Sequence, residues 1–240
     1  MNMNESFSRI GRFTSSGIYQ LMANGRKSGE VGKPFLSYVQ KKAREKKIFR
    51  SLDNDTTSRE LSWGNLNEKR CFKLLGFEYS LSSQETLEHP TIENYAGSPD
   101  GMYNSPNGNA VYDIKCPFSL NSYFNFIEND IEGIRENHSD GEKYYWQLVS
   151  NAIITGVDKA QLIIYVPYQR ELVDIRLEAK YDANADQLSW LSYAEDSSLP
   201  YIPERSLCRN LHICEFDVPQ SDKDALEVRL LMANELIKKL

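Results

Sequence analysis

An aspartate and a lysine near the middle of the chain could act on one substrate together. Residues 110–116, with the sequence AVYDIKC, predict a β-strand that carries Asp113 and Lys115 two positions apart. Residues two apart in a strand project from the same face, so Asp113 and Lys115 point together while Ile114 points into the core. The triplet alone is more typical of a surface ion pair, so a reactive site requires further acids beside it.

Two other carboxylates can reach this pair. Asp100 lies on a second predicted strand, residues 96–103, and the polar turn sequence at 104–109 predicts a hairpin that joins it to the strand of Asp113. The hairpin would place Asp100 beside Asp113. Glu68, on the helix predicted before the sheet, could supply a third carboxylate from above.

Such a group of side chains suits metal-assisted hydrolysis of a phosphodiester. Mg²⁺ prefers carboxylate oxygens, backbone carbonyls and water as ligands, so we expect Glu68, Asp100, Asp113 and the carbonyl of Ile114 to hold one or two ions. These ions would bind a scissile phosphate, lower the pKa of an attacking water and stabilise the leaving oxygen. Lys115 would add positive charge at the phosphorus and could orient or deprotonate the water.

The elements predicted around these residues alternate between helices and strands. Helices are predicted at residues 17–22, 35–47, 59–75, 119–129, 142–155, 182–195 and 220–240, and strands at 77–81, 96–103, 110–116, 160–166 and 171–178. This order indicates one α/β domain in which a mixed central β-sheet is flanked by helices.

Composition favours a cytoplasmic protein with free thiols. The 240 residues contain four scattered Cys, no apolar run long enough to span a membrane and no secretory signal at the start. The formal net charge is −6, yet the segment from Arg26 to Arg50 holds nine Lys or Arg against two acids. A basic segment on an acidic protein fits contact with phosphate in one place, and a solvated lysine-rich helix explains it equally well.

The pattern Pro99-Asp100 followed by Asp113-Ile114-Lys115 is the signature of PD-(D/E)XK nucleases, and its flanking residues are more specific. Residues 98–101 (SPDG) and 113–118 (DIKCPF) resemble the lambda exonuclease or YqaJ family of viral recombination nucleases. Three further segments resemble family motifs. They are residues 63–68 (W-G-x-x-x-E), 144–147 (Y-x-x-Q) and 9–16 (R-x-G-x-x-T-x-S). The resemblance runs in order over residues 9–167.

The resemblance implies a role for each matching residue. The implied catalytic residues are Glu68, Asp100, Asp113, Lys115 and Gln147, and the implied metal ligands are Glu68, Asp100, Asp113 and Ile114. Gln147 would help to place the nucleophile or the phosphate. Arg9 and Ser16 would hold the 5′-phosphate of a DNA end.

The resemblance also implies a fold and an activity. The fold would be a restriction-endonuclease-like core within a single nuclease domain, residues 1–240, in which residues 168–240 complete the domain. The activity would be 5′ to 3′ degradation of double-stranded DNA from its ends, which leaves 3′ overhangs for viral or phage recombination. A pair of Mg²⁺ ions would serve as cofactor, with Mn²⁺ able to substitute. A homotrimer, a single-strand annealing protein as partner, and a phage or prophage origin in a bacterial cytoplasm are implied as well.

Two departures from the family pattern leave alternatives open. Asp113 stands where the lambda enzyme has Glu, and residues 128–142 form an acidic segment that would repel DNA, so we expect it on an outer rim or at a subunit contact. Another PD-(D/E)XK nuclease, acting as an endonuclease or as a 3′ or single-strand exonuclease, is the first alternative. An inactive DNA-binding subunit of the same fold is the second, and the complete set of acids and lysine disfavours it.

Overall fold

The computed structural model describes residues 9–27, 29–53, 57–82 and 86–240. The described strands are β1 (Phe13–Thr14), β2 (Tyr79–Leu81), β3 (Leu87–Glu88), β4 (Tyr95–Gly97), β5 (Gly101–Tyr103), β6 (Ala110–Lys115), β7 (Lys159–Tyr165) and β8 (Leu211–Asp217). The described α-helices are α1 (Lys33–Ile48), α2 (Arg59–Leu74), α3 (Leu120–Ile127), α4 (Ile131–Asn137), α5 (Gly141–Thr155), α6 (Leu172–Tyr181), α7 (Ala185–Leu188) and α8 (Gln220–Lys239). A 3₁₀-helix, Ser15–Met22, lies at the first predicted helix.

A five-stranded mixed sheet occupies the centre, with the strand order β2-β5-β6-β7-β8. β6 and β7 run parallel, and the remaining pairs are antiparallel. Both parallel strands are buried along nearly their whole length because helices cover the two faces of the sheet. A smaller sheet, in the order β1-β4-β3, lies beside it. The predicted α/β class with a mixed central sheet is confirmed.

The two faces of β6 receive different helices. Ile114 packs with Cys71 of α2 in one apolar cluster. Val111 packs with Leu148 and Val149 of α5 in another. The strand alternation predicted from the sequence therefore holds, and β6 lies between α2 and α5.

The strand predicted at residues 96–103 is divided in two. β4 belongs to the smaller sheet and β5 to the central sheet, and the chain passes between them through Ser98, Pro99 and Asp100. Pro99 has no N–H to donate, so a strand is readily interrupted there. The predicted hairpin of β5 and β6 is present, with Gly101 opposite Tyr112.

The strand predicted at residues 171–178 is wrong, since this segment forms the helix α6. Its apolar residues Leu172, Ile175 and Ala179 recur at helical spacing and are all buried. The true partner of β7 is β8, which pairs with it along seven residues. The helix predicted at residues 182–195 is also shorter, because α7 is followed by a 3₁₀-helix, Ser189–Ser192.

Candidate active site

Asp113 and Lys115 project from β6 toward α5 and contact each other. The Lys115 ammonium nitrogen lies 2.5 Å from Oδ2 of the buried Asp113 carboxylate. Gln147 of α5 donates a hydrogen bond from Nε2 to Oδ1 of Asp113, at 2.7 Å. The ring of Tyr144, one turn earlier on α5, lies 5.1 Å from the Lys115 nitrogen. Both oxygens of Asp113 are thus engaged, one by a cation and one by an amide.

Asp100 joins this group through the backbone of the same strand. Its Oδ2 accepts a hydrogen bond from the N–H of Ile114, at 2.6 Å. The interruption at Pro99 leaves Asp100 directly before β5, where its side chain can reach across to β6. The hairpin therefore brings Asp100 beside the Asp113-Ile114-Lys115 triplet, as expected from the turn sequence.

Glu68 approaches from α2, on the other side of β6. It lines a cavity of about 840 Å³ together with Asp100 and Ile114. We call this cavity the acid cleft; its other walls include Arg9, Ser62, Ser98, Lys69 and Leu188. Burial raises the pKa of Glu68, the neighbouring Lys115 lowers it, and the charge of Asp113 raises it further. Acids from both faces of the strand are therefore near enough to act on one another.

Asp100 has two other acids close enough to oppose its ionisation. Burial raises the pKa of Asp100 to about 8, and the charges of Asp113 and Glu68 add to this effect while Lys115 opposes it. Buried carboxylates that repel one another retain a proton unless a cation compensates them. The site as it stands therefore favours a neutral Asp100 at neutral pH.

Lys115 is held in its charged form. Burial favours loss of its proton, but the carboxylates of Asp113, Asp100 and Glu68 outweigh burial and raise the pKa of Lys115 above its usual value. An ammonium with a raised pKa gives up its proton poorly at neutral pH. Beside these three carboxylates Lys115 therefore keeps its positive charge at neutral pH.

The donor set has the chemistry that a hard divalent cation prefers. Glu68, Asp100 and Asp113 offer carboxylate oxygens, the typical protein ligands of Mg²⁺. In the described ranges, no three His, Cys, Asp or Glu side chains already stand close enough together to hold an ion. The raised pKa of Asp100 shows that its ionised form lacks a compensating charge, which a cation would supply, so the residues fit a divalent ion.

The two residues expected at a 5′-phosphate are placed differently. Arg9 lines the acid cleft with Glu68 and Asp100. Ser16 is exposed in the first turn of the 3₁₀-helix, where its hydroxyl contacts that of Thr14 at 3.5 Å, and it does not line the cleft. The structure thus brings Arg9 to the acids and leaves Ser16 outside the cavity.

Sequence reasoning missed a buried acid that fixes the segment of Arg9. Glu45 of α1 is fully buried, and its Oε2 accepts hydrogen bonds from the N–H of Gly11, at 3.0 Å, and from Lys42, at 2.9 Å. Gly11 has a φ of +67°, which favours glycine. The available signal was a single acid in a run of lysines, because Glu is fully buried almost only when it is paired with a cation.

Four of the nine basic residues in the segment from Arg26 to Arg50 contact other groups of the protein. Lys42 is buried against Glu45, and other lysines of α1 contact protein oxygens. These contacts are Lys41 with Asp53, Lys46 with Asn94, and Lys47 with the carbonyl of Leu240. Arg44 and Arg50 are exposed, and contact of this segment with phosphate stays a prediction.

The described cysteine thiols near the site are unsuited to nucleophilic catalysis. Burial raises the pKa of Cys71 to about 12 and raises that of Cys116 well above its usual value. Because the thiolate is the reactive form, burial makes both residues poor nucleophiles.

Comparison with solved structures gives the same architecture over nearly the whole chain. The alkaline exonuclease LHK-Exo from Laribacter hongkongensis has a TM-score of 0.62 and 12% identity, covering 99% of this chain and 93% of that chain. A structure of LHK-Exo in complex with dAMP gives a TM-score of 0.63 at the same identity and coverage. A phage-related exonuclease from Haemophilus somnus has a TM-score of 0.63 and 14% identity, covering 95% and 94% of the two chains. The predicted restriction-endonuclease-like fold is thereby confirmed.

Comparison of sequences identifies the family. No curated protein sequence gives a match. The model of the YqaJ-like viral recombinase domain matches residues 8–158, which include every motif quoted above. Family and fold together support the predicted class of enzyme, a DNA exonuclease. The chain belongs to the YqaJ-like viral recombinase family.

Proposed function

We propose that this protein is a metal-dependent exonuclease that degrades double-stranded DNA from 5′ ends and leaves 3′ overhangs for viral or phage recombination. The observation that carries the proposal is that Asp100 contacts the β6 segment of Asp113 and Lys115 and lines the acid cleft together with Glu68 and Arg9. These side chains supply negative charge for a cation and positive charge for a phosphate. The structural neighbours LHK-Exo and the Haemophilus somnus protein are exonucleases, which agrees with this activity.

In this proposal each residue has a distinct task. Glu68, Asp100 and Asp113 would hold a pair of Mg²⁺ ions, for which Mn²⁺ could substitute, and the carbonyl of Ile114 would be a further ligand. When bound, divalent cations supply charge that activates the attacking water and stabilises the leaving oxygen. Lys115 places an ammonium at the phosphate as negative charge develops there.

Gln147 and Arg9 act around this group. Gln147 fixes one oxygen of Asp113 through its amide, so the remaining oxygen keeps its direction toward Lys115. Arg9 binds the 5′-phosphate, since a guanidinium presents planar donors that match phosphate oxygens. Ser16 remains part of the phosphate-binding proposal, although the structure places it outside the acid cleft.

We also propose that residues 1–240 form one nuclease domain. β8 completes the central sheet beside β7, and α8 packs in the same apolar cluster as α5, which supports a continuous core. The homotrimer and the single-strand annealing protein implied by the resemblance belong to the proposal too. Light scattering in solution would measure the mass of the particle and so test the homotrimer. None of the described helices has the length and apolar character needed to cross a membrane.

The test uses two DNA substrates of the same sequence, one a linear duplex with 5′-phosphates and one a covalently closed circle. With Mg²⁺ present we expect nucleotides to be released from the linear duplex, starting at the 5′ ends, and the circle to remain intact. EDTA should abolish release. Cutting of the circle would show an endonuclease instead, and an inert protein that still binds DNA ends would support the inactive-subunit alternative.

A further inference from the structure

A second cavity, of about 340 Å³, lies next to the acid cleft and is lined by aromatic and cationic groups. Its walls include Arg59, Ser189, Trp190 and Tyr193. We call it the aromatic pocket. Leu188 lines the acid cleft and the following residue, Ser189, lines the aromatic pocket, so the two cavities share a wall. Ser189, Trp190 and Tyr193 lie outside residues 8–158, the segment that the family model matches.

The aromatic pocket is fixed to the catalytic strand through a chain of rings. Trp190 meets Phe118 edge to face, with centroids 5.7 Å apart, and Phe118 meets the buried Trp63 at 5.8 Å. Phe118 follows β6 by three residues, directly after the segment of Asp113 and Lys115. The indole N–H of Trp190 also donates to the hydroxyl of Ser62, which lines the acid cleft, at 3.2 Å. Trp190 therefore has a set position relative to the acids.

The loop that carries the pocket is also held in place. Arg176 donates to the carbonyls of Leu191 and Ala194, at 3.1 and 2.6 Å, and pairs with Asp196 at 2.7 Å. Main-chain atoms on both sides of Tyr193 are thereby restrained. A binding surface held in advance costs less conformational entropy when a ligand arrives.

The groups facing the pocket suit a flat, electron-rich ligand. The Arg59 guanidinium carbon lies 5.4 Å from the centroid of the Trp190 ring. Tyr193 is 88% exposed, although its ring has much apolar surface. Guanidinium planes and aromatic faces stack on nucleobases of any sequence, because every base has a π face.

We propose that the aromatic pocket binds a nucleobase of the DNA strand whose phosphate enters the acid cleft, by stacking on Arg59 and Tyr193. This inference rests on the proposed function for the presence of DNA in the cleft. Stacking in the pocket would hold an unpaired nucleotide in line with the acids. It would tolerate all four bases, as a nuclease that moves along a strand requires.

The test measures binding without cleavage. A 5′-phosphorylated thymidine decamer is titrated in EDTA against wild type, Tyr193→Ala and Arg59→Lys, the last of which keeps the charge and loses the planar guanidinium. Tyr181→Ala is the matched control, because Tyr181 is 84% exposed and lies outside the pocket. A set of decamers, each with one abasic residue, is titrated in parallel.

We expect an abasic residue at one position near the 5′ end to weaken wild-type binding about tenfold. Tyr193→Ala and Arg59→Lys should bind the intact decamer more weakly than wild type, by a similar factor. Their affinity should no longer depend on whether that position is abasic, while Tyr181→Ala behaves as wild type. Equal wild-type affinity for every abasic decamer, or undiminished sensitivity in both pocket variants, would overturn the inference.

The outcome is separable from that of the proposed function. A protein that shows the position-specific loss but releases no nucleotides with Mg²⁺ would refute the nuclease and leave the base pocket standing. An active nuclease whose affinity is unaffected by an abasic residue at any position would support the nuclease and refute the base pocket.

Discussion

The Gln147 amide nitrogen lies 2.7 Å from Oδ1 of Asp113, so a residue of α5 controls the direction of a carboxylate on β6. The other oxygen of Asp113 lies 2.5 Å from Lys115. A carboxylate held on both oxygens cannot rotate freely. Its orientation depends on how α5 packs against the sheet as well as on the strand that carries it.

Replacement of Gln147 by alanine should therefore reduce the rate of DNA hydrolysis about 10- to 100-fold, the usual effect of losing a partner that orients a metal ligand. The Mg²⁺ concentration required for half-maximal rate should rise as well. Steady-state rates on linear duplex across a Mg²⁺ titration measure both effects. Gln220→Ala, on the first residue of α8, is the matched control. Wild-type rates in Gln147→Ala would contradict the assigned role.

Replacement of Lys115 by alanine should lower the hydrolysis rate about 10²- to 10³-fold, as the loss of one preorganised transition-state donor does. It should also move the acid limb of the pH–rate profile. Lys115 lowers the pKa of Asp100, so its removal raises that pKa and shifts the onset of activity to higher pH. Single-turnover rates between pH 6 and 10 measure this shift. Lys180→Ala, an exposed lysine of α6, serves as control, and an unmoved profile would refute the coupling.

The metal-free protein should lose stability as the pH rises from about 4 to about 8. An unfolded Asp ionises near pH 3.9, whereas folded Asp100 keeps its proton to about pH 8, so the folded state binds more protons in this interval. Asp100→Asn removes the ionisation. We expect this variant to be inactive, yet to melt several degrees above wild type at pH 8 in EDTA, with the difference shrinking toward pH 4.

Thermal melts at pH 4.5, 6 and 8 test this expectation, and Mg²⁺ provides an internal check. Because a cation at the acids favours ionised Asp100, added Mg²⁺ should raise the melting temperature of wild type more at pH 8 than at pH 6 and should have little effect on Asp100→Asn. A variant that melts below wild type at pH 8 would show that Asp100 is not the destabilising group.

Arg9→Ala should weaken recognition of the DNA end. We expect degradation of 5′-phosphorylated duplex to slow about tenfold, the scale of one charge-assisted contact to phosphate, while degradation of 5′-hydroxyl duplex is little changed. When the two substrates compete in one reaction, the ratio of their degradation rates is measured directly. Arg12→Ala is the control, since Arg12 is three residues away and pairs with Glu88. An unchanged ratio in Arg9→Ala would place the phosphate elsewhere.

The sequence determined the central part of the candidate site because short-range rules govern it. The two-residue period of a strand sets Asp113 and Lys115 on one face, and the turn after Tyr103 returns the chain so that Asp100 lies beside β6. The residues around these positions also carry the family motifs, which the model of residues 8–158 matches. Neither inference needs knowledge of distant contacts.

Only the tertiary structure decided which distant groups meet there. The burial of Glu45 beneath Gly11, the pairing of β8 with β7 and the packing of Trp190 against Phe118 join residues 34 to more than 70 positions apart. Local periodicity gives no information about such pairs, since it fixes the face a residue occupies and not the element that covers it. The strand predicted in place of α6 has a different cause, because Leu172, Ile175 and Ala179 recur at helical spacing and this local pattern was overlooked. Only the tertiary structure showed that four lysines of α1 contact the protein itself.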